Sequence, residues 1–135
     1  MLFRSRPTSL QPIVTYLKSS ESRQFDRDLE ILNKSVLQFN KPFSLVIDQE
    51  DESKKFDEVI CAAIRGNVQM VMIPSLSHLG FQMNDSSSAI GDILDFAKTK
   101  VNLISVRDGF DSNKDGYRTA VNIICRNMKS QQVTV

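Results

Sequence analysis

The sequence contains few of the side chains that metal sites require. Its 135 residues include two cysteines, Cys61 and Cys125, and a single histidine, His78. The cysteines lie far apart within apolar helical patterns, without the close spacing of a zinc site, and we interpret them as buried thiols of a protein in a reducing compartment. We therefore expect no metal ion, no cofactor and a cytoplasmic location.

Long apolar segments are also absent. The unbroken apolar runs are only a few residues long, whereas a transmembrane helix needs about 20. The N-terminal stretch MLFRSRPTSLQPIV lacks the apolar core of a signal peptide, so we expect no export. Hydrophobic residues make up 41% and charged residues 24%, close to the values of soluble globular proteins. The length is that of one domain.

The chain has no large excess of either charge. Lys and Arg total 17 and Asp and Glu total 16, which gives a net charge of +1. This balance excludes a strongly basic nucleic-acid binder, although it leaves room for a local basic face.

Strand-like and helix-like segments alternate along the chain. The pattern predicts strands at 13–17, 43–47, 68–73 and 101–106, and helices at 21–38, 54–65, 86–98 and 117–129. The near-continuous apolar run 68–73 is typical of a strand that is buried on both faces of a parallel sheet. Four such repeats predict a single three-layer α/β domain, with a mostly parallel sheet of four to five strands and helices on both faces.

Ligands of open parallel sheets approach the carboxyl ends of the strands. In this chain those ends are the loops that start at Lys18, Asp48, Pro74 and Arg107. We therefore expect any chemistry to take place in these loops.

Three of the four loops carry motifs of a known family. The segment Tyr16-Leu17-Lys18-Ser19-Ser20, with Gln24 and Phe25-Asp26-Arg27 after it, resembles the opening of the serine recombinases, the resolvase and invertase family. Residues 66–80 (GNVQMVMIPSLSHLG) resemble that family's glycine, buried strand and signature loop, and the turn Asp108-Gly109-Phe110-Asp111-Ser112 resembles its last turn. The resemblance spans about residues 13–128.

The resemblance implies the fold of a resolvase catalytic domain and a division of the chain. Residues 1–12 would be an N-terminal extension and residues 13–116 the α/β core. Residues 117–135 would be a C-terminal helix, at the start of the family's dimerisation helix, and a tail. We expect no DNA-reading domain within the chain.

The family's chemistry is the attack of a serine hydroxyl on a DNA phosphodiester. Ser20 matches that nucleophile, and such a hydroxyl needs activation by its surroundings. The family stabilises the phosphoryl transition state with arginines, whose forked guanidinium binds two phosphate oxygens at once.

Those arginines are missing at the matching positions of this chain. Lys18 replaces the first, and Ser53, followed by Lys54 and Lys55, replaces the arginine before the second helix. His78 and Phe81 replace the two arginines of the signature loop. Because the loss of one transition-state donor costs roughly 10² to 10³ in rate, we expect strand cleavage to be impaired.

The favoured interpretation is a degenerate serine-recombinase-like domain that acts in DNA recombination through protein association. Its partner would be a second copy or a related recombinase, held by the helix 117–129, whose apolar face comprises Ala120, Val121, Ile124 and Met128. DNA would be at most a weak partner, because this helix carries few cations, and a membrane is not expected as a partner.

Two other functions stay open. In the first, the chain is an active recombinase in which Ser20 forms the phosphoserine link, aided by Lys18, Lys54 and His78. In the second, it is an unrelated flavodoxin-like α/β domain that binds a small ligand or a protein.

The candidate residues also have structural interpretations. Ser20 would be a helix N-cap, Lys18 a solvated charge at a strand end, and His78 a structural or exposed loop histidine. The acidic stretch 48–52 would be a solvated loop. Phe81 and Met83 would cover the end of the sheet.

Overall fold

The computed structural model describes residues 10–20, 23–80 and 86–133, with side chains described from Ser87 to Asn127 in the last range. Its strands are β1 (Ile13–Ser19), β2 (Phe43–Gln49), β3 (Met70–Ile73), β4 (Asn102–Ser105) and β5 (Phe110–Asp111). Its helices are α1 (Arg23–Leu37), α2 (Lys54–Ile64), α3 (Ser86–Ala97), α4 (Ser112–Asp115) and α5 (Tyr117–Val133), with a 3₁₀ turn at Leu76–His78.

The strands form one sheet in the order β2-β1-β3-β4-β5. The first four are parallel, and β5 runs antiparallel to β4. Ile13 of β1 lies opposite Phe43 on one side and Met70 on the other. This arrangement confirms the predicted mostly parallel α/β sheet.

Helices cover both faces of the sheet. Alternate residues of β1 point to opposite layers, so that Val14 and Tyr16 join one core and Ile13 and Leu17 the other. Helices α2, α3 and α5 supply the first core, in which the Phe56 ring lies 4.6 Å from that of Tyr16. Helix α1 covers the second core. The three predicted layers are therefore present.

The polar segment 107–116 contains two short elements that the sequence pattern did not indicate. Strand β5 has two residues and α4 has four, too few for a hydrophobic period to appear. The side chain of Asp111 accepts a hydrogen bond from the Asn113 backbone N–H (3.0 Å) and so caps α4.

Three large apolar side chains of the helices are exposed. Leu37, Ile64 and Leu94 are 67%, 65% and 54% exposed, so they lie at the edges of their helical faces rather than in the core. Cys61 is also exposed, and the prediction that it is a buried thiol is wrong. It lies on the solvent side of α2, between the buried residues Ile60 and Ala62.

The apolar face of α5 packs inside the molecule. Ala120 and Ile124 are buried in the same core as α2 and α3, and Val121 packs against that core. The prediction that this face is available to a partner is therefore wrong for Ala120 and Ile124, which are buried in the chain's own core, and association through the rest of the helix stays a prediction. The side chain of Met128 lies outside the described residues. No helix in the described part of the chain is long and apolar enough to cross a membrane.

Candidate functional site

His78 lies in the interior of the molecule, near the carboxyl ends of β1, β3 and β4. The 3₁₀ turn after β3 directs its side chain inward, and only 2% of the residue is exposed. The Lys18 backbone N–H donates to His78 Nδ1 (3.1 Å), and His78 Nε2 lies 3.2 Å from Asp28 Oδ2. Because Nδ1 accepts, we assign the ring proton to Nε2. Both ring nitrogens are therefore occupied.

Burial of His78 favours the neutral form of its ring. Burial lowers its pKa below the ordinary value of 6.5, and the nearby charges of Arg107 and Lys18 lower it further. The Asp28 carboxylate opposes this shift without cancelling it. His78 is thus a buried structural histidine, as one of the sequence interpretations predicted, and it presents no positive charge to a ligand.

Asp28, on α1, contacts side chains from three parts of the chain: α1 itself, the 3₁₀ turn and the residues after β4. Its carboxylate is 3% exposed and accepts from Arg107 Nη2 (2.7 Å), from Gln24 Nε2 (2.9 Å) and from His78 Nε2. The guanidinium of Arg107, which follows β4, compensates the buried negative charge. We refer to Asp28, His78, Arg107 and Gln24 as the Asp28 network.

Lys18 is buried rather than solvated, so the prediction of a solvated strand-end charge is wrong. The residue is 1% exposed, and its Nζ donates to the backbone carbonyl of Glu52 (2.6 Å). Burial lowers the pKa of the amine, while the carboxylates of Asp48 and Asp92 favour its charged form. The side chain lies on the α2 side of β1, where the strand passes beneath the loop that enters α2.

Asp48 is not a solvated loop residue either. Its carboxylate is buried and accepts from the backbone N–H groups of Lys55 (3.1 Å) and Phe56 (3.0 Å). It also accepts from the Tyr16 hydroxyl (2.9 Å), and the pKa of Tyr16 is raised, chiefly by burial and also by this carboxylate. Asp48 therefore caps α2, since Ser53 at the N-cap position makes no side-chain cap. The neighbouring acids Glu50 and Asp51 are exposed, as predicted.

Backbone N–H groups of the loop after β3 donate hydrogen bonds to side chains of other elements. Asp92 of α3 accepts from the Gly80 N–H (2.7 Å), and its pKa is raised to about 6, chiefly by burial. Asp108 accepts from the Leu76 N–H (2.9 Å) and from the Ser105 hydroxyl (2.6 Å). Gly80 has a φ of 94°, a region that favours glycine.

The remaining candidate residues are Ser20, Lys54, Phe81 and Met83. Ser20 is half-buried directly after β1. The described part of α1 begins at Arg23, so the capping role of Ser20 stays a prediction. Lys54 is exposed at the first position of α2, and its side chain has no polar partner among the described residues. Phe81 and Met83 lie outside the described residues.

Sequence reasoning missed Asp28, Arg107 and Asp92 as members of the site. Asp28 carries a recognisable signal, because it lies one helical turn before Leu32 on the apolar stripe of α1, where an acid requires a partner. Arg107 opens one of the four loops that were singled out. Its pairing with Asp28 depends on the approach of α1 to β4, which no local pattern indicates.

No family model and no curated protein matches the sequence. Among solved structures, the chain is similar to a resolvase family site-specific recombinase from Streptococcus pneumoniae, with a TM-score of 0.63 and 17% identity over 90% of this chain and 88% of that chain. It is also similar to the N-terminal catalytic domain of TP901-1 integrase, with a TM-score of 0.60 and 13% identity over 90% and 97% of the two chains.

These similarities confirm that the chain has the fold of serine recombinase catalytic domains. At such identities they establish the fold, and the chemistry depends on the residues described above. Within the described residues, no group of three His, Cys, Asp or Glu side chains is placed to hold a metal ion.

Proposed function

We propose that this chain is a serine-recombinase-like domain of DNA recombination that does not cleave DNA strands and acts through protein association. The observation that carries the proposal is the burial of Lys18, whose amine donates to the Glu52 carbonyl (2.6 Å). The resemblance places the first phosphate-binding arginine of the family at this position. Because Lys18 is 1% exposed, a phosphate could reach its amine only if the surrounding residues moved.

The Asp28 network supports the same conclusion. Catalysis of phosphoryl transfer depends on donors that point at the transferring group before it arrives. His78, at a signature-loop arginine position, is neutral and uses both ring nitrogens internally. Arg107 is paired with Asp28. Recruiting either residue to DNA would leave a buried carboxylate without its partner, which is costly.

The competing proposal is an active recombinase that uses Ser20. It requires the exposed Lys54 to supply the main positive charge and requires Lys18 to leave its buried position. The fold match to recombinase domains gives no support to an unrelated flavodoxin-like ligand-binding domain.

A covalent trapping experiment separates the first two proposals. The purified chain is incubated with a pool of nicked duplexes of randomised sequence, so that the result does not depend on a known target site. The peptide that contains Ser20 is then examined by mass spectrometry. We expect the unmodified peptide only. A nucleotide adduct that persists in Ser19→Ala and disappears in Ser20→Ala would establish the active alternative.

Exposed apolar side chains outside α5 support the proposal that the chain associates with a partner. Leu45 on the edge strand β2 and Leu94 on α3 are 43% and 54% exposed. Sedimentation velocity over a wide concentration range, alone and mixed with a related recombinase, tests association directly. We expect a dimer or a mixed complex. A strict monomer under both conditions would contradict this part of the proposal.

A further inference from the structure

A concave region lies at the opposite end of the sheet from Lys18 and His78. Helices α2 and α3 both end there, just before β3 and β4 begin. The cavity between these helix ends has a volume of about 440 Å³ and includes Ile64, Arg65, Gly66, Lys98 and Lys100 in its lining. This volume falls within the range of small-molecule sites.

The charge of the cavity has one sign. Its lining includes three cationic side chains and no carboxylate, although the whole chain has a net charge of only +1. Arg65, Lys98 and Lys100 are exposed, and none forms an ion pair with another described residue. A cleft lined by one charge concentrates the electric field and attracts ions of opposite sign.

Favourable interaction with the helix dipoles explains the positions of only two of the three cations. Arg65 and Lys98 follow the last turns of α2 and α3, where cations interact favourably with the helix dipoles. Lys100 lies beyond α3, next to the start of β4, and that explanation does not apply to it. Because the helix carbonyl ends also face this region, we expect anion binding to be weak and sensitive to salt.

The backbone that carries these cations is held in place. The Thr99 hydroxyl donates to the Phe96 carbonyl (2.7 Å) and accepts from the Val101 N–H (3.1 Å). On the other side, the Gly66 N–H donates to the Ala63 carbonyl (3.0 Å), and Gly66 has a φ of 82°, a region that favours glycine. The three cations therefore extend from two fixed turns.

We propose that this cavity binds the phosphate groups of an anionic ligand. A phosphate offers several oxygens and up to two charges, which suits one forked guanidinium and two ammonium groups. The exposed side chain of Ile64 provides an apolar edge for the remainder of such a ligand. The site is independent of the proposed function, because it shares no residue with the Asp28 network or with Ser20.

Two probes identify the source of the phosphate groups: pyrophosphate and a short DNA duplex. Each is titrated into the 15N-labelled chain while the backbone amide signals of Gly66 and Thr99 are followed. The test variant combines Arg65→Gln, Lys98→Gln and Lys100→Gln. The control combines Lys34→Gln, Lys41→Gln and Lys114→Gln, which removes the same charge from exposed positions elsewhere. Circular dichroism confirms that both variants are folded.

We expect saturable shifts at Gly66 and Thr99, a loss of affinity of at least about threefold in the test variant and little change in the control. A response to pyrophosphate identifies a small phosphate ligand, and a response to the duplex alone identifies DNA phosphates. Both results support the site. Absence of binding by either probe, shifts spread over the whole surface, or equal loss in both variants would overturn the proposal.

Discussion

At the scale of single residues, His78 connects the strand that carries Lys18 with the helix that carries Asp28. Its ring accepts from the Lys18 backbone and contacts the Asp28 carboxylate, and it is 2% exposed. Both contacts are internal, so His78 is an internal hydrogen-bonding residue of this chain.

Truncation of His78 is expected to destabilise the fold. His78→Ala leaves the Lys18 N–H and one Asp28 oxygen without their partner, and two such buried groups cost about 2–4 kcal/mol of unfolding free energy. Urea denaturation measures this loss. Ser77→Ala, which removes only the contact of the Ser77 hydroxyl with that of Ser75, is the control, with an expected change below about 1 kcal/mol. Equal effects of the two substitutions would contradict the bridging role of His78.

Asp92 is expected to make stability depend on pH. Its pKa is raised from 3.8 to about 6, so between these pH values the folded state binds more protons than the unfolded state. The contribution of this group to stability is therefore greatest in acid and is lost as the pH rises through about 6.

Asp92→Asn tests this assignment, since it keeps an oxygen that can accept from the Gly80 N–H but does not titrate. Urea midpoints measured across the range from 3.8 to about 6 should fall less steeply, or rise more steeply, with pH in the variant than in the natural chain. Parallel pH profiles would show that Asp92 is not the titrating group.

At the scale of elements, α5 contributes to the core of this chain. Ala120 and Ile124 are buried together with residues of α2 and α3. The sequence pattern identified the apolar face of α5 correctly. It did not distinguish a face that packs in the chain's own core from one that packs on a partner, because both require the same period.

Substitution in this face should therefore affect stability and leave association unchanged. Ile124→Ala creates a cavity and is expected to cost about 2–4 kcal/mol. The exposed Asn122→Ala on the same helix is the control, with a change within about 0.5 kcal/mol. Thermal unfolding and sedimentation velocity measure the two properties. Altered association at full stability would show that Ile124 faces a partner.

The longer elements could be predicted from the sequence, and the contacts between loops could not. The runs 13–17 and 68–73 and the stripes of α1 to α3 carry clear periods, which sufficed for the sheet and its layers. Strand β5 and helix α4 are too short for a period. The burial of Lys18 and Asp48 depends on how the loop before α2 lies against β1, and local sequence does not encode that approach.

At the scale of the whole molecule, several polar side chains at the carboxyl ends of the strands form internal hydrogen bonds. Lys18 donates to the loop before α2, His78 and Arg107 meet Asp28, and Asp48 caps α2. Cationic side chains instead line the cavity at the other end of the sheet. The near-neutral net charge of the chain therefore includes a local cluster of cations at the end of the sheet opposite His78.

The protonation state of His78 tests this account most directly. The chain has a single histidine, so the 15N spectrum of its imidazole belongs to one residue. At neutral pH we predict a proton on Nε2, a bare Nδ1 and signals that do not move when duplex DNA is added. A ring protonated on both nitrogens, or one whose signals shift with DNA, would contradict the conclusion that this residue is an internal and neutral part of the network.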